Sequence, residues 1–219
     1  MAQDDVRTQL VLVISAKSGD RSRIVRLVTS AAAVVPIATV VVEPNLELPI
    51  PPPELADTVE QIQALGIATL IAGDALLARV VKADGVHLPA SRTAPGSYRE
   101  AREIVGTRFI VGVDVGRTRH DAMTLGEKGA DYIAFGIPAH VEDRDTARVR
   151  RRELIAWWSE IFEIPCVAFD VETPHDAHDL AISGADFIAL RVPAEISAEN
   201  IVEFLSPYVA HWPVTAPAT

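Results

Sequence analysis

The chain has 219 residues, of which 49% are hydrophobic, and a formal net charge of −10. This length suits one domain with a large core. The acidic balance argues against nucleic-acid partners and anionic membrane surfaces, since both require clustered lysine and arginine.

Targeting and redox features are few. The single cysteine, Cys166, excludes an intrachain disulfide. No apolar run approaches the ~18 residues that a membrane span needs. The N-terminal segment has acids where a signal peptide would have basic residues. We therefore expect a cytoplasmic protein.

Short runs rich in Val, Ile and Ala alternate with segments whose apolar residues recur every three or four positions. The first pattern is typical of buried parallel strands and the second of amphipathic helices. The predicted strands are Gln9–Ser15, Ile37–Glu43, Ala68–Gly73, Gly85–Pro89, Phe109–Val115, Tyr132–Ile137, Cys166–Val171 and Phe187–Val192. The predicted helices are Asp20–Ala32, Pro53–Leu65, Asp74–Lys82, Ser97–Val105, Arg119–Lys128, Arg150–Phe162, Pro174–Ser183 and Ala198–Ala210. Eight strand–helix units predict an α/β fold, a (β/α)8 TIM barrel with residues 1–219 as one domain, and an open doubly wound sheet is the alternative.

Gly-Ala-Asp occurs twice between a predicted helix and a predicted strand, ending at Asp131 and at Asp186. The glycine suits the left-handed residue that ends a helix, and the aspartate can accept hydrogen bonds from nearby backbone N–H groups. Both turns lie at the N-terminal face of the barrel, so we interpret the two aspartates as structural. The basic run "RVRRRE" at residues 148–153 is interpreted as the solvated start of a helix.

Acidic residues mark the carboxyl ends of several predicted strands, where TIM barrels place their functional side chains. Glu43, Asp114 and Asp170 close strands 2, 5 and 7, and Asp74 follows strand 3. Crowded carboxylates perturb one another's pKa values, and a hard cation such as Mg²⁺ would relieve the crowding. Asp74 is therefore a candidate metal ligand, with a helix cap as the alternative.

Other polar positions belong to the same predicted mouth. They are His87, Arg92, Gly136, His140 and Arg191. His87 lies in an apolar strand, where a hydrogen-bonded core histidine is the alternative. Arg191 ends a buried strand and so needs an anionic partner, either Asp170, Glu172 or a ligand's phosphate.

Three segments together resemble one family of barrel proteins. "GVHLPAS", "FIVGVDV…GADYIAFGIP" and "IPCVAFDVETPHDAHDLAISGADFIAL" are similar to motifs of the thiamine phosphate synthase and TenI family, in the same order over about residues 68–192. The resemblance implies a TIM barrel that couples a pyrimidine diphosphate to a thiazole phosphate with Mg²⁺, releasing pyrophosphate. It also implies possible homo-oligomers and no organic cofactor.

The chain departs from this family pattern at several matched positions. The family's basic stretch at the end of strand 2 meets Glu43 and a proline-rich loop. The first glycine after strand 7 becomes Asp170, which places a negative charge where phosphate would bind, at a cost on the order of several kcal/mol. The histidine of the TenI branch falls at Ile137, with His140 three residues on.

We therefore predict a divergent thiamine phosphate synthase-like protein that binds a phosphorylated thiazole- or pyrimidine-type molecule, with weak or lost coupling activity. The predicted roles are catalysis for Asp114 and His140, substrate or phosphate binding for His87, Arg92, Gly136, Asp170 and Arg191, and a metal ligand at Asp74. The alternatives are a barrel enzyme with another small-molecule reaction and a non-catalytic ligand-binding or partner protein.

Overall fold

Eight parallel strands close into a barrel in chain order, and helices follow the strands on the outside. The computed structural model describes residues 8–91, 93–116 and 118–210. The strands are β1 Gln9–Ala16, β2 Ile37–Pro44, β3 Ala68–Ala72, β4 Gly85–Leu88, β5 Ile110–Asp114, β6 Tyr132–Phe135, β7 Cys166–Ala168 and β8 Phe187–Val192. The helices are α1 Arg21–Ala32, α2 Pro52–Gln63, α3 Ala75–Val80, α4 Ala94–Val105, α5 Arg119–Glu127, α6 Arg144–Ile161, α7 Pro174–Ile182 and α8 Ile201–Val209. The predicted TIM barrel is confirmed.

Two of the element boundaries that differ from the prediction have identifiable local causes. Helix α6 starts at Arg144 rather than Arg150 because the carboxylate of Asp143 accepts a hydrogen bond from Thr146 N (3.0 Å) and caps an earlier turn. Strand β7 ends at residue 168 because Asp170 adopts a left-handed backbone with φ of 55°. The chain therefore leaves the extended conformation just where it reaches the mouth.

Side chains on the strands alternate between the barrel interior and the helix-facing core. Val41, Leu70 and Val167 point inward, whereas Val40 and Val42 pack in the layer beneath the helices. Towards the N-terminal end, the inward side chains leave an apolar cavity of about 190 Å³. The interior is therefore less densely filled there than protein cores usually are.

Three aspartates tie neighbouring strands together at the N-terminal face. Each lies just before an even-numbered strand. Its carboxylate accepts a hydrogen bond from a backbone N–H group at the start of the preceding odd-numbered strand. The bonds are Thr69 N to Asp84 (2.7 Å), Val111 N to Asp131 (2.7 Å) and Cys166 N to Asp186 (2.8 Å). The structural interpretation of Asp131 and Asp186 is confirmed.

The basic run at residues 148–153 lies within α6 rather than at its start. The interpretation of the run as solvated is wrong for Arg151, whose side chain is fully buried. Its guanidinium is paired with Asp176 of α7 inside the protein. Among the described residues, no helix is long and apolar enough to cross a bilayer.

Candidate binding site at the barrel mouth

A cavity of about 600 Å³ opens at the carboxyl ends of the strands. Its charged, polar and aromatic lining residues are Glu43, His87, Asp114, Arg144, Phe169, Asp170 and Arg191. Parallel strands bring their carboxyl ends to one face of the barrel, which is why residues far apart in sequence meet here. Four of the predicted site residues thus line one cavity: His87, Asp114, Asp170 and Arg191.

Asp114 and Asp170 converge over Gly136, the position that follows β6. The Oδ2 atoms of both carboxyl groups lie within 3 Å of the point that a Cβ on Gly136 would occupy. Any side chain there would collide with the two carboxyl groups. Gly136 therefore contributes to the site by leaving space for the approach of Asp114 and Asp170.

Burial, together with a smaller effect of the nearby charge of Asp170, raises the pKa of Asp114 to about 7. Hydrogen bonds from Gly116 N (2.7 Å) and Gly136 N (3.3 Å) to Oδ1 oppose this shift. A carboxyl group with a pKa close to neutrality can both give and take a proton at physiological pH. Asp114 is accordingly the candidate acid–base group of the cavity.

Asp170 is held in its left-handed conformation by contacts on two sides. Its Oδ2 accepts a hydrogen bond from Ile137 N (2.8 Å) in the loop after β6. Its backbone carbonyl accepts one from the buried Arg151 (2.9 Å), which also donates to the carbonyl of Phe169. These contacts compensate a conformation that glycine adopts more readily than aspartate, and they aim the carboxylate into the mouth.

A stack of aromatic rings forms the floor of the cavity. The His87 ring lies parallel to Phe169, with centroids 4.3 Å apart, and Nδ1 of His87 lies 2.9 Å from the hydroxyl of Tyr132. The Tyr132 ring occupies the space that a side chain at Gly112 would fill, so this glycine allows the contact. Burial, with a smaller effect of Arg191, lowers the pKa of His87 to about 3. The imidazole is therefore neutral at physiological pH.

Two arginines occupy the outer rim, and each is paired with a glutamate. Both terminal nitrogens of Arg191 donate to Glu43, one of them at 2.9 Å. This partner is neither Asp170 nor Glu172, so the predicted pairing of Arg191 is corrected. Arg144 donates through Nε to Glu172 (3.0 Å) and through a terminal nitrogen to the carbonyl of Ile137 (3.2 Å).

The other predicted site residues lie elsewhere. Asp74 is exposed, and its carboxylate accepts a hydrogen bond from Leu77 N (2.8 Å), so it caps α3. His140 is exposed in the turn after β6 and does not line the cavity. Arg92 lies outside the described residues. Within residues 8–91, 93–116 and 118–210, no group of three His, Cys, Asp or Glu side chains is placed to hold a metal ion.

Sequence reasoning missed Phe169, Arg144, Tyr132 and Arg151. Phe169 was included only as part of a strand, and Arg144 lay in a segment taken for a loop. The signal for Tyr132 is Gly112, a residue without a side chain that makes room for this ring 20 positions later. The signal for Arg151 is the basic run on a helix that packs against a helix with acidic residues. Both signals depend on long-range contacts, which periodicity does not show.

The fold and the mouth define a TIM-barrel protein with a polar cavity at the carboxyl ends of its strands, lined by a candidate acid–base group. The model of the thiamine monophosphate synthase (TMP-TENI) family matches residues 10–192, and the chain belongs to this family.

Similar proteins agree with this assignment. The chain is 36% identical over 198 residues to a thiamine-phosphate synthase of Erythrobacter litoralis, covering 87% of this chain and 89% of that protein. It is 40% identical over 129 residues to a thiamine-phosphate synthase of Rhodospirillum centenum, covering 59% of this chain and 61% of that protein.

Among solved structures, thiamine phosphate pyrophosphorylase from Pyrococcus furiosus superposes with a TM-score of 0.67 at 19% identity, covering 94% and 97% of the two chains. Tryptophan synthase from Mycobacterium tuberculosis superposes with a TM-score of 0.69 at 13% identity, covering 96% of this chain and 95% of that chain. At these identities the two structures support the fold alone.

Proposed function

We propose that the protein acts in thiamine biosynthesis, binds a phosphorylated thiazole- or pyrimidine-type molecule in the mouth cavity, and couples the two precursors weakly or not at all. Family membership over residues 10–192 supports the pathway and the ligand class. The observation that carries the weak coupling is the carboxylate of Asp170, which points into the cavity from a left-handed position suited to glycine.

The exposure of the lining residues favours one orientation of the ligand. His87 and Asp114 at the inner end are buried, whereas Arg144 and Arg191 lie partly exposed at the rim. A planar ring would lie inside against Phe169, and its phosphate would point outward to the arginines. Phosphate would then compete with Glu43 for Arg191.

The charges around the cavity explain why a diphosphate would bind poorly. Within the described lining, Arg144 and Arg191 are the only cations, and each already forms an ion pair with a glutamate. Asp114 and Asp170 face the same space, so an entering diphosphate meets repulsion on the order of several kcal/mol. A monophosphate carries less charge and suits this rim better.

Two measurements on the purified protein test the proposal. Pyrophosphate release is followed with the pyrimidine diphosphate and the thiazole phosphate, with and without MgCl₂, and binding of each compound alone is measured by calorimetry. We expect saturable binding of thiazole phosphate, with release far below the ~10 s⁻¹ of a typical enzyme. Release at that ordinary rate would contradict weak coupling. Failure of both compounds to bind would contradict the function itself.

A further inference from the structure

We propose that Asp114 and Asp170 form a one-proton carboxyl pair that binds the amidine edge of a planar nitrogen heterocycle. The amidine edge is a ring nitrogen next to a carbon that bears an N–H group. The inference rests on the proposed function for a heterocyclic ligand in this cavity. It adds which edge of the ring is recognised and by which groups.

The geometry brings two carboxyl oxygens to one small space. Oδ1 of Asp114 is turned away from the cavity, since it accepts hydrogen bonds from Gly116 N and Gly136 N. Its Oδ2 and the Oδ2 of Asp170 both lie within 3 Å of the point left free by Gly136. The two oxygens are therefore at most about 5 Å apart. Charging both carboxyl groups at this distance is costly, so the pair retains one proton near neutral pH.

The surroundings place that proton on Asp114. Asp114 is 7% exposed, whereas Asp170 is more accessible to water, and its Oδ2 accepts a hydrogen bond from Ile137 N. A negative charge is therefore less costly on Asp170 than on Asp114. The cavity thus presents a hydroxyl donor, Asp114 Oδ2–H, beside a carboxylate acceptor, Asp170.

This donor–acceptor pair matches one ligand edge. A ring nitrogen would accept from Asp114, and the adjacent N–H would donate to Asp170. The bond to the charged acceptor is of the stronger kind, so it carries most of the selectivity. The ring would lie beside the stacked rings of Phe169 and His87, which form the floor of the cavity.

His87 offers a further hydrogen-bond donor in the same cavity. His87 is 5% exposed, and within the described residues only its Nδ1 has a partner, the hydroxyl of Tyr132. Burial raises the pKa of Tyr132, so the phenol keeps its proton, and Nδ1 is the described acceptor for it. The proton of the imidazole is then on Nε2, which leaves an N–H for an acceptor atom on the ligand.

The other titratable and charged groups around the pair come from several elements. They are Glu43, His87, Tyr132, Arg144, Arg151 and Arg191. The pKa of His87 is lowered to about 3 and that of Tyr132 is raised, so neither ring changes its charge between pH 6 and pH 8.5. Glu43 and Arg191 form an ion pair. Once protonation of the probe itself is allowed for, a pH dependence in this window reports on the pair.

The test compares 4-aminopyrimidine with 4-methylpyrimidine, in which a methyl group of similar size replaces the amino group. Affinities for the full chain are measured by ligand-observed NMR from pH 6 to pH 8.5. We expect the amino compound to bind roughly tenfold or more tightly at pH 6. Its affinity should fall about tenfold per pH unit once the proton leaves the pair above pH ~7.

Two variants separate the roles of the partners. Asp114→Asn keeps a donor, its Nδ2–H, that cannot titrate, so binding should persist and become independent of pH. Asp170→Gly removes the acceptor at a position where glycine is unstrained, so the two probes should bind equally. Asp57→Asn, an exposed site paired with Arg21 on the outer helices, is the matched control and should behave as the parent protein. Thermal unfolding verifies that each variant is folded.

Equal affinities of the two probes for the parent protein would overturn the inference, as would a pH dependence that persists in Asp114→Asn. These outcomes are separable from failure of the proposed function. Binding of thiazole phosphate without discrimination between the pyrimidines would leave the function standing and remove the carboxyl pair. Discrimination between the two pyrimidines, without binding of either phosphorylated compound, would support the carboxyl pair and contradict the proposed function.

Discussion

Arg151 and Asp176 join helices α6 and α7 through two hydrogen bonds, of 2.7 and 2.6 Å, inside the protein. The Arg151 side chain is completely buried and that of Asp176 is 10% exposed. Because Arg151 also donates to the carbonyls of Phe169 and Asp170, the ion pair fixes the backbone that carries Asp170 into the mouth.

Removal of Arg151 should destabilise the protein strongly. We expect Arg151→Ala to lower the free energy of unfolding by about 3–5 kcal/mol, since it leaves Asp176 as an uncompensated buried charge. Urea unfolding measures the change. Arg150→Ala is the matched control, because the neighbouring Arg150 is exposed and reaches Glu153 only at 3.6 Å, and it should cost under ~0.5 kcal/mol. Equal losses in the two variants would refute the buried pair.

Replacement of Asp170 by glycine should improve anion binding at the mouth. The variant removes a negative charge and leaves a residue that suits φ of 55°. We expect the affinity for thiazole phosphate to rise about tenfold or more, measured by calorimetry. Asp145→Asn removes an equal charge from an exposed site on α6 that does not line the cavity, and it should have little effect. An unchanged affinity in Asp170→Gly would show that this carboxylate does not oppose phosphate.

Release of Arg191 from Glu43 should also favour anions. In Glu43→Gln the guanidinium keeps its charge but loses its charged partner, so phosphate no longer has to displace a carboxylate. The thermal stabilisation by inorganic phosphate should reach half its maximum at roughly tenfold lower concentration, and the effect should weaken with added NaCl. Glu47→Gln, at an exposed position in the loop that follows β2, should match the parent protein.

The raised pKa of Asp114 predicts how stability depends on pH. Between the unfolded value near 3.8 and the folded value of about 7, the native state binds more protons than the unfolded chain. The contribution of Asp114 is therefore most favourable at low pH and is lost as the pH rises to 7, by up to ~4 kcal/mol. Asp114→Asn lacks this loss, so its stability relative to the parent should increase from pH 5 to pH 8 in urea unfolding. A constant difference would contradict the raised pKa.

The apolar cavity near the N-terminal end should accept an additional methylene group. Val41 lines this cavity, and Val41→Ile should raise the free energy of unfolding by about 0.8 kcal/mol. Val42 is the matched control because it points into the filled layer beneath the helices, where the same change should overpack the core and cost roughly 1–3 kcal/mol. Destabilisation by Val41→Ile would show that the cavity collapses in solution.

The fold could be predicted from sequence because it is encoded locally. Each strand carries a buried apolar run. Turns such as Gly129–Asp131 contain both the glycine that ends a helix and a carboxylate that accepts a hydrogen bond from a backbone N–H group. The inner part of the mouth could also be predicted, because TIM barrels place functional side chains at the carboxyl ends of their strands. His87, Asp114 and Asp170 occupy such positions. Position after a strand does not determine which way an exposed loop residue turns. Asp74 therefore forms the helix cap that was the alternative to a metal ligand, and His140 does not line the cavity.

The partners of charged residues could not be predicted in the same way. Arg191 pairs with Glu43, 148 positions away, because their strands flank β1 in the closed barrel. The burial of Arg151 depends on how α6 packs beside α7, and a basic run gives no sign of it. Such contacts arise from the assembled tertiary structure rather than from local periodicity.

The three aspartate ties at the N-terminal face divide much of the barrel into repeated strand–helix–strand modules, β3 with β4, β5 with β6 and β7 with β8. Each tie closes its own module, whereas the connections through α4 and α6 run between modules. New chain termini in those connections would leave all three ties intact, so circular permutation is best tolerated there. Termini placed within a module, beside Asp131 for example, would separate an aspartate from the strand that it holds.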